Sequence, residues 1–175
     1  MAYIDFKRIE RVVKLDKTVF KEIRDDKNAL GQALVVLLVA AILGSIWSII
    51  STLGVFLVII VIAAPIGWVI WTGILHIIAK LFGGKATYTG YLKVMGYAEA
   101  PMALGVIPIV GSMVGGLWSL VLAVYATKDA QEISMGKAIA VIMIPVAIVV
   151  ILSLLFSMLM MGMLGALSPV SSSYY

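Results

Sequence analysis

Apolar positions in this chain fall into long unbroken runs, with polar residues gathered between them. Residues 28–79 pass without an Asp, Glu, Lys or Arg, a stretch of 52. A membrane-crossing helix takes about 20 predominantly apolar residues. The run therefore predicts two spans, residues 29–50 and 55–78, with a turn at 51–54 and a kink at Pro65 and Gly67. Residues 82–91 read as a loop through Gly83, Gly84 and Lys85, with Thr89 as an N-cap. Residues 94–127 hold one charged side chain, Glu99, in 34 positions. Pro108 and Gly111 break that stretch and predict two short spans, 91–107 and 110–126. Residues 128–137 form a polar loop. A fifth span, 138–167, contains Pro145 and leaves an uncharged tail, 168–175.

Residues 1–28 follow a different pattern. Through Lys27 they hold 8 basic and 6 acidic side chains. At 100° per residue, Phe6, Ile9, Val12, Val13, Val19, Phe20 and Ile23 share a sector of about 140°. Asp16 intrudes on that sector, and Lys14, Lys17 and Lys21 lie opposite. The expectation is an amphipathic helix, broken near Leu15 and Asp16, that lies on the inner leaflet or packs on the bundle. Anionic lipid is the expected partner of this basic arm. Such dense charge predicts no cleavable signal peptide.

Composition settles the solvent. The chain is 63% hydrophobic and 13% charged, with mean hydropathy +1.14. A soluble domain carries about 25% charged residues. Backbone in lipid must satisfy its own hydrogen bonds, which leaves helices or a closed barrel. The runs lack a barrel's alternation. The fold class is thus all-α: a polytopic membrane helix bundle of five transmembrane helices, plus the amphipathic arm. Five spans place all 13 Lys and Arg on one side, whereas four would strand Lys128 and Lys137 opposite the rest. This orientation predicts a multi-pass protein of the plasma membrane, its N-terminus cytoplasmic and its C-terminus outside. The net charge of +4 speaks to orientation and lipid, and no nucleic-acid partner is expected. Without Cys there is no disulfide framework or thiolate metal site. No internal repeat supports an inverted-repeat transporter.

Few residues carry candidate chemistry. Glu99 lies six positions beyond Lys93, about 9 Å deeper along a helix, and a carboxylate there needs a partner, a proton or water. His76 sits one turn before Lys80, so a Glu99–His76 pair with Tyr97 or Tyr91 as donor is one expectation, fitting a proton relay. The simpler reading is that Glu99 orders the bundle near the interface. Small residues recur at four-residue spacing at Ala40, Gly44 and Ser48, and at Gly111 and Gly115. Such faces suit close helix packing within the chain, with a homo-oligomer interface as the alternative. Met158, Met160, Met161 and Met163 fall on several faces of one helix, which suits adaptable packing better than Cu(I). The four Trp suit interfacial anchoring. One His, no Cys and few carboxylates beyond the arm offer no triad, metal site or phosphate loop, so neither enzyme activity nor a cofactor is expected.

One segment resembles a known family. Thr89-Gly90-Tyr91 leads into Gly96-Tyr97-Ala98-Glu99-Ala100-Pro101, followed by Pro108, Gly111, Trp118, Lys137-Ala138 and Pro145. These residues resemble the Yip-domain family of five-span membrane proteins that bind Rab-type GTPases, with Gly96, Tyr97 and Pro101 as the motif positions. The entry 15–20 and the Gly31-Gln32-Ala33 run resemble the family's approach to its first span. The resemblance implies five spans and a cytoplasmic N-terminus. For eukaryotic relatives it implies roles in vesicle traffic, membrane shape and Rab recruitment. This sequence lacks the acidic-Leu-Tyr-Gly-Pro type motif before the first span, and is closer to the short prokaryotic-type members. The expected function is a non-enzymatic scaffold that organises the bilayer or an unidentified protein partner. The alternative is a small proton-coupled transporter or channel using Glu99 and His76.

Overall fold

A computed structural model describes residues 5–52 and 54–167, with side chains as far as Met163. The expected tail, 168–175, lies outside the described residues. Eight α-helices and one 3-10 segment occupy the described chain, which has no strand. They are α1 (Phe6–Val13), α2 (Val19–Asp25), α3 (Ala29–Gly44), α4 (Ile46–Ser51), α5 (Val55–Leu81), α6 (Tyr88–Ala98), the 3-10 segment (Ala100–Val106), α7 (Val110–Gln131) and α8 (Met135–Leu167). Three are long and apolar enough to cross a membrane: α5, α7 and α8. A bent pair, α2 with α3, meets the same criteria across an angle of 119°.

Two of the five expected spans are interrupted, each for a local reason. Residues 29–50 form α3 and α4, separated at Ser45. There the Ser45 N–H divides itself between the carbonyls of Ala41 and Ile42, as a helix does when its last turn tightens. Residues 91–107 lie in α6 and the 3-10 segment, which part at Glu99. Pro101 enforces that break, because it has no N–H and its ring collides with the carbonyl four residues back.

The 3-10 segment packs against α3 on one side and α7 on the other. Glycines admit it. A Cβ built on Gly105 would meet the Gly44 Cα at 2.7 Å, and one on Gly44 the Met102 carbonyl oxygen at 2.8 Å. On the α7 side, a Cβ on Gly115 would meet the Pro101 carbonyl oxygen at 2.5 Å, and one on Gly111 would overlap that of Leu104. The turn into α7 is equally tight. Ile109 adopts φ 61°, ψ −69°, and the Val110 N–H bonds the Pro108 carbonyl at 2.7 Å. This is a γ-turn in its strained form, rare for a β-branched residue.

The N-terminal arm folds as two helices. Asp5 caps α1 by accepting from the Arg8 N–H at 3.1 Å. Leu15 turns left-handed at φ 56°, and Asp16 accepts from the Thr18 N–H at 2.9 Å. The apolar sector divides accordingly. Val12, Val19, Phe20 and Ile23 are buried, while Phe6 is 75% exposed. Withdrawing Phe20 or Ile23 from water contributes roughly 1.5–3 kcal/mol each. α2 packs on α6 and α7, and the Trp118 indole donates to the Val13 carbonyl at 3.1 Å. The arm's apolar face is therefore taken up mainly by the bundle.

The chain separates into two units, one ending at Ile142 and one beginning at Met143. The second contains the remainder of α8. From Ala147 to Met163 its side chains are exposed on every face, Ile148, Leu155 and Met161 among them. A helix apolar all round belongs in lipid. Its Ser157 hydroxyl bonds the Ser153 carbonyl one turn back at 2.8 Å, so that polar group is satisfied within the helix.

Candidate functional site

Buried polar side chains concentrate where α2, α6 and α7 meet the start of α3 and the end of α5. Gln131, the last residue of α7, is fully buried. Its side-chain oxygen accepts from the Ala86 N–H at 3.1 Å, and its backbone carbonyl accepts from the Lys85 N–H at 2.9 Å. The amide NH2 lies 3.2 Å from His76 Nδ1. Since the amide oxygen is committed to Ala86, the NH2 faces the ring, and Nδ1 must accept. The proton of a neutral His76 then sits on Nε2. Tyr88 meets the ring edge-on at 5.7 Å between centroids, and Tyr91 is tilted beside it at 6.1 Å. The fully buried Tyr91 hydroxyl shares a 2.7 Å hydrogen bond with Thr127, which donates to the Ala123 carbonyl.

A second network secures the arm. Arg8 donates to Asp26 at 2.8 Å and to the Gln32 side-chain oxygen at 3.2 Å. Tyr97, fully buried, donates to the same Gln32 oxygen at 2.6 Å. Lys93, 7% exposed, donates to the Asp26 carbonyl at 2.7 Å. A cation at the C-terminal end of α2 satisfies its free carbonyls and complements its dipole. Arg24 ties α2 to α7, donating to the Ala130 carbonyl and to Glu132, both at 2.9 Å.

Charge pairing lowers the carboxyl pKa values around the arm. The Arg11 guanidinium, then the Thr18 hydroxyl, hold Glu22 at about 2. Arg11 likewise holds Asp16 well below the usual range. The Asn28 N–H, then Arg8, lower Asp26, and Arg24 lowers Glu132. A depressed folded-state pKa contributes stability above the unfolded value and loses it as pH falls through the folded one. The arm's internal pairs, with Glu22 releasing as pH falls from about 4 towards 2, and its Arg24–Glu132 tie to α7 should therefore hold at neutral pH and weaken in acid. Spin labels at Lys21 and at Lys85 measure this directly. An arm held by apolar packing alone would show no such acid release.

The sequence-derived candidates are dispersed through the fold. Glu99 lines a cavity with Ala64 of α5, whereas His76 lies 12 residues further along that helix, roughly 18 Å away. The structure does not bring them together: His76 meets Gln131, and Tyr97 meets Gln32. His76 lies level with Tyr88 and Tyr91 at the start of α6, whereas Glu99 closes that helix at its other end. Gly44, Gly111 and Gly115 face the 3-10 segment within the chain. Of the resemblance motif, Gly96 lets α6 approach α3, since a Cβ there would meet Ala33 and Trp68 at 3.0 Å. Pro101 is buried at the break. Sequence reasoning missed the partners, Gln32 and Gln131. The available signal was that the chain's two glutamines stand at the margins of apolar runs, where an amide needs a polar neighbour.

The fold and this polar clasp define an α-helical membrane protein whose buried polar groups serve mainly to join its own helices. The sequence pattern of the Yip1 domain matches residues 15–167, and the chain belongs to that family. The Yip1 family is not known as an enzyme family. Searches of curated proteins and of solved structures returned no match.

Proposed function

We propose that this protein is a non-enzymatic membrane scaffold that organises the surrounding bilayer. It crosses the plasma membrane five times, with α3–α4 and α6 plus the 3-10 segment as its first and third spans. Its N-terminus is cytoplasmic and its C-terminus outside. One observation carries the reading. Most of the arm's ion pairs and the hydrogen-bonded buried side chains tie the chain's own helices together, from Arg8–Asp26 to Gln131–His76. The outward faces of α5 and α8 are apolar. Such a molecule meets lipid through apolar helices and through a basic arm tied to its own helices. Lys7, Lys17, Lys21 and Lys27 make no ion pair among the described residues, and they supply the attraction to anionic lipid, about 1 kcal/mol per basic residue near the surface.

Reconstitution into vesicles with and without anionic lipid tests this. Vesicle diameter, imaged by cryo-electron microscopy, should shift with protein density, more so on anionic lipid. Cysteines at Ser51 should label from outside, and those at Lys85 and Gly136 only from inside. Unchanged diameters together with protein-dependent proton flux would replace the scaffold by a transporter.

A further inference from the structure

The structure assigns to the cavity at the break between α6 and the 3-10 segment a binding site for a primary ammonium ion with a short hydrocarbon body. The cavity measures about 260 Å³ and lies among α3, α5 and the segment. Its walls are Leu37, Ala40, Ala41, Gly44, Ala64 and Met102, with two polar side chains, Glu99 and Ser45.

Three features make this a site for a cation. The Glu99 carboxylate makes no hydrogen bond or ion pair among the described residues, although the groups able to neutralise it exist in the chain. Lys93 is committed to the Asp26 carbonyl, and His76 to Gln131. Second, Glu99 closes α6, so its negative charge is set at the negative end of that helix's dipole. Third, a carboxylate and a helix C-terminus set together in an apolar wall are costly without a positive counterpart. Half-helix ends inside membranes coordinate cations on this principle.

The same walls select the kind of cation. A metal ion of the alkaline-earth type takes six or more oxygens, and the lining side chains offer one carboxylate and one hydroxyl. An ammonium group has three donors to place, and Glu99 and Ser45 supply the two polar side chains of the lining. The remaining space is bounded by alanines and Met102, which suit a short alkyl body. That chemistry is shared by a free alkylamine and by the amine headgroup of an aminophospholipid. The inference stands independently of the scaffold reading.

Thermal unfolding in phosphatidylcholine nanodiscs, titrated with n-butylammonium, is the test. A saturable rise in Tm is expected, with none from n-butanol or from sodium at equal ionic strength. Glu99→Gln keeps the shape and removes the charge, and should weaken binding by about tenfold or more. Ala64→Leu fills the cavity and should abolish binding in a protein that still unfolds cooperatively. Phosphatidylethanolamine nanodiscs separate the two sources. If native mass spectrometry finds that lipid retained by the unmodified protein but not by Glu99→Gln, and the butylammonium shift vanishes there, the headgroup is the ligand. An undiminished shift identifies the free amine. Equal binding by Glu99→Gln, an equal response to sodium, or no response to either amine overturns the assignment.

Discussion

Gly111→Ala is expected to lower stability by roughly 1–3 kcal/mol or more, while Gly116→Ala, on the same helix, should be neutral or slightly stabilising. The added methyl group at 111 would overlap the Leu104 carbonyl oxygen and crowd Ile107 Cβ at 2.9 Å. Its obstacle is backbone, which has no rotamer with which to retreat. The 3-10 segment must then shift away from α7, and α3 receives the displacement through Gly44 and Gly105. At Gly116 nothing lies within 4 Å of the new Cβ. There the substitution gains helix propensity of up to about 1 kcal/mol. Reversible unfolding in mixed micelles compares the pair. Equal stabilities would mean that the contact between α7 and the 3-10 segment is looser than described.

Gln131→Leu should cost a similar amount by a different route. It preserves bulk at a fully buried site but strands the Ala86 N–H and removes the donor facing His76 Nδ1. A buried group left unpaired costs about 1–3 kcal/mol. The Lys85 N–H keeps its bond to the backbone carbonyl of residue 131, so the loop stays near α7 while its amide exchange accelerates. Hydrogen exchange at Ala86 should rise well beyond that at Tyr91, whose N–H lies inside α6. Exchange unchanged at Ala86 would show that the backbone contact alone closes the loop.

These two residues also mark what the sequence could convey. Long apolar runs force helices, because backbone in lipid has few other options. For that reason α5, α7 and α8 cover the apolar runs, although α7 continues to Gln131 and α8 begins at Met135, inside the stretch 128–137 expected as a loop. The break in the arm was legible too, since Asp16 interrupts an otherwise apolar face. Interruptions inside apolar stretches were harder to read. Ser45 gives no compositional sign of a helix end, and Pro101 is compatible with a simple kink. The ring of Pro101 forces its break, and close approach through Gly44, Gly105 and Gly111 seats the 3-10 segment between α3 and α7, packing that one-dimensional periodicity does not carry. The polar pairs were missed for a related reason. Glu99 drew attention as the lone charge in its stretch, and proximity to His76 was inferred from counted residues. The neutral amides became the hubs because Gln131 donates and accepts at once while the Gln32 oxygen accepts from both Arg8 and Tyr97, a property that charge counting overlooks.

The 3-10 geometry of residues 100–106 bears on the thickness of bilayer this protein suits. Seven residues rise about 14 Å in this form, against about 10 Å as an α-helix. Added to the 11 residues of α6, at about 16 Å, the combined element reaches about 30 Å, the depth of a typical hydrocarbon core. Relaxation of the segment to α-helix would shorten it by several ångströms and favour a thinner membrane. In the proposed five-span arrangement, an element that trades length against winding gives a means of meeting hydrophobic mismatch without tilting its neighbours.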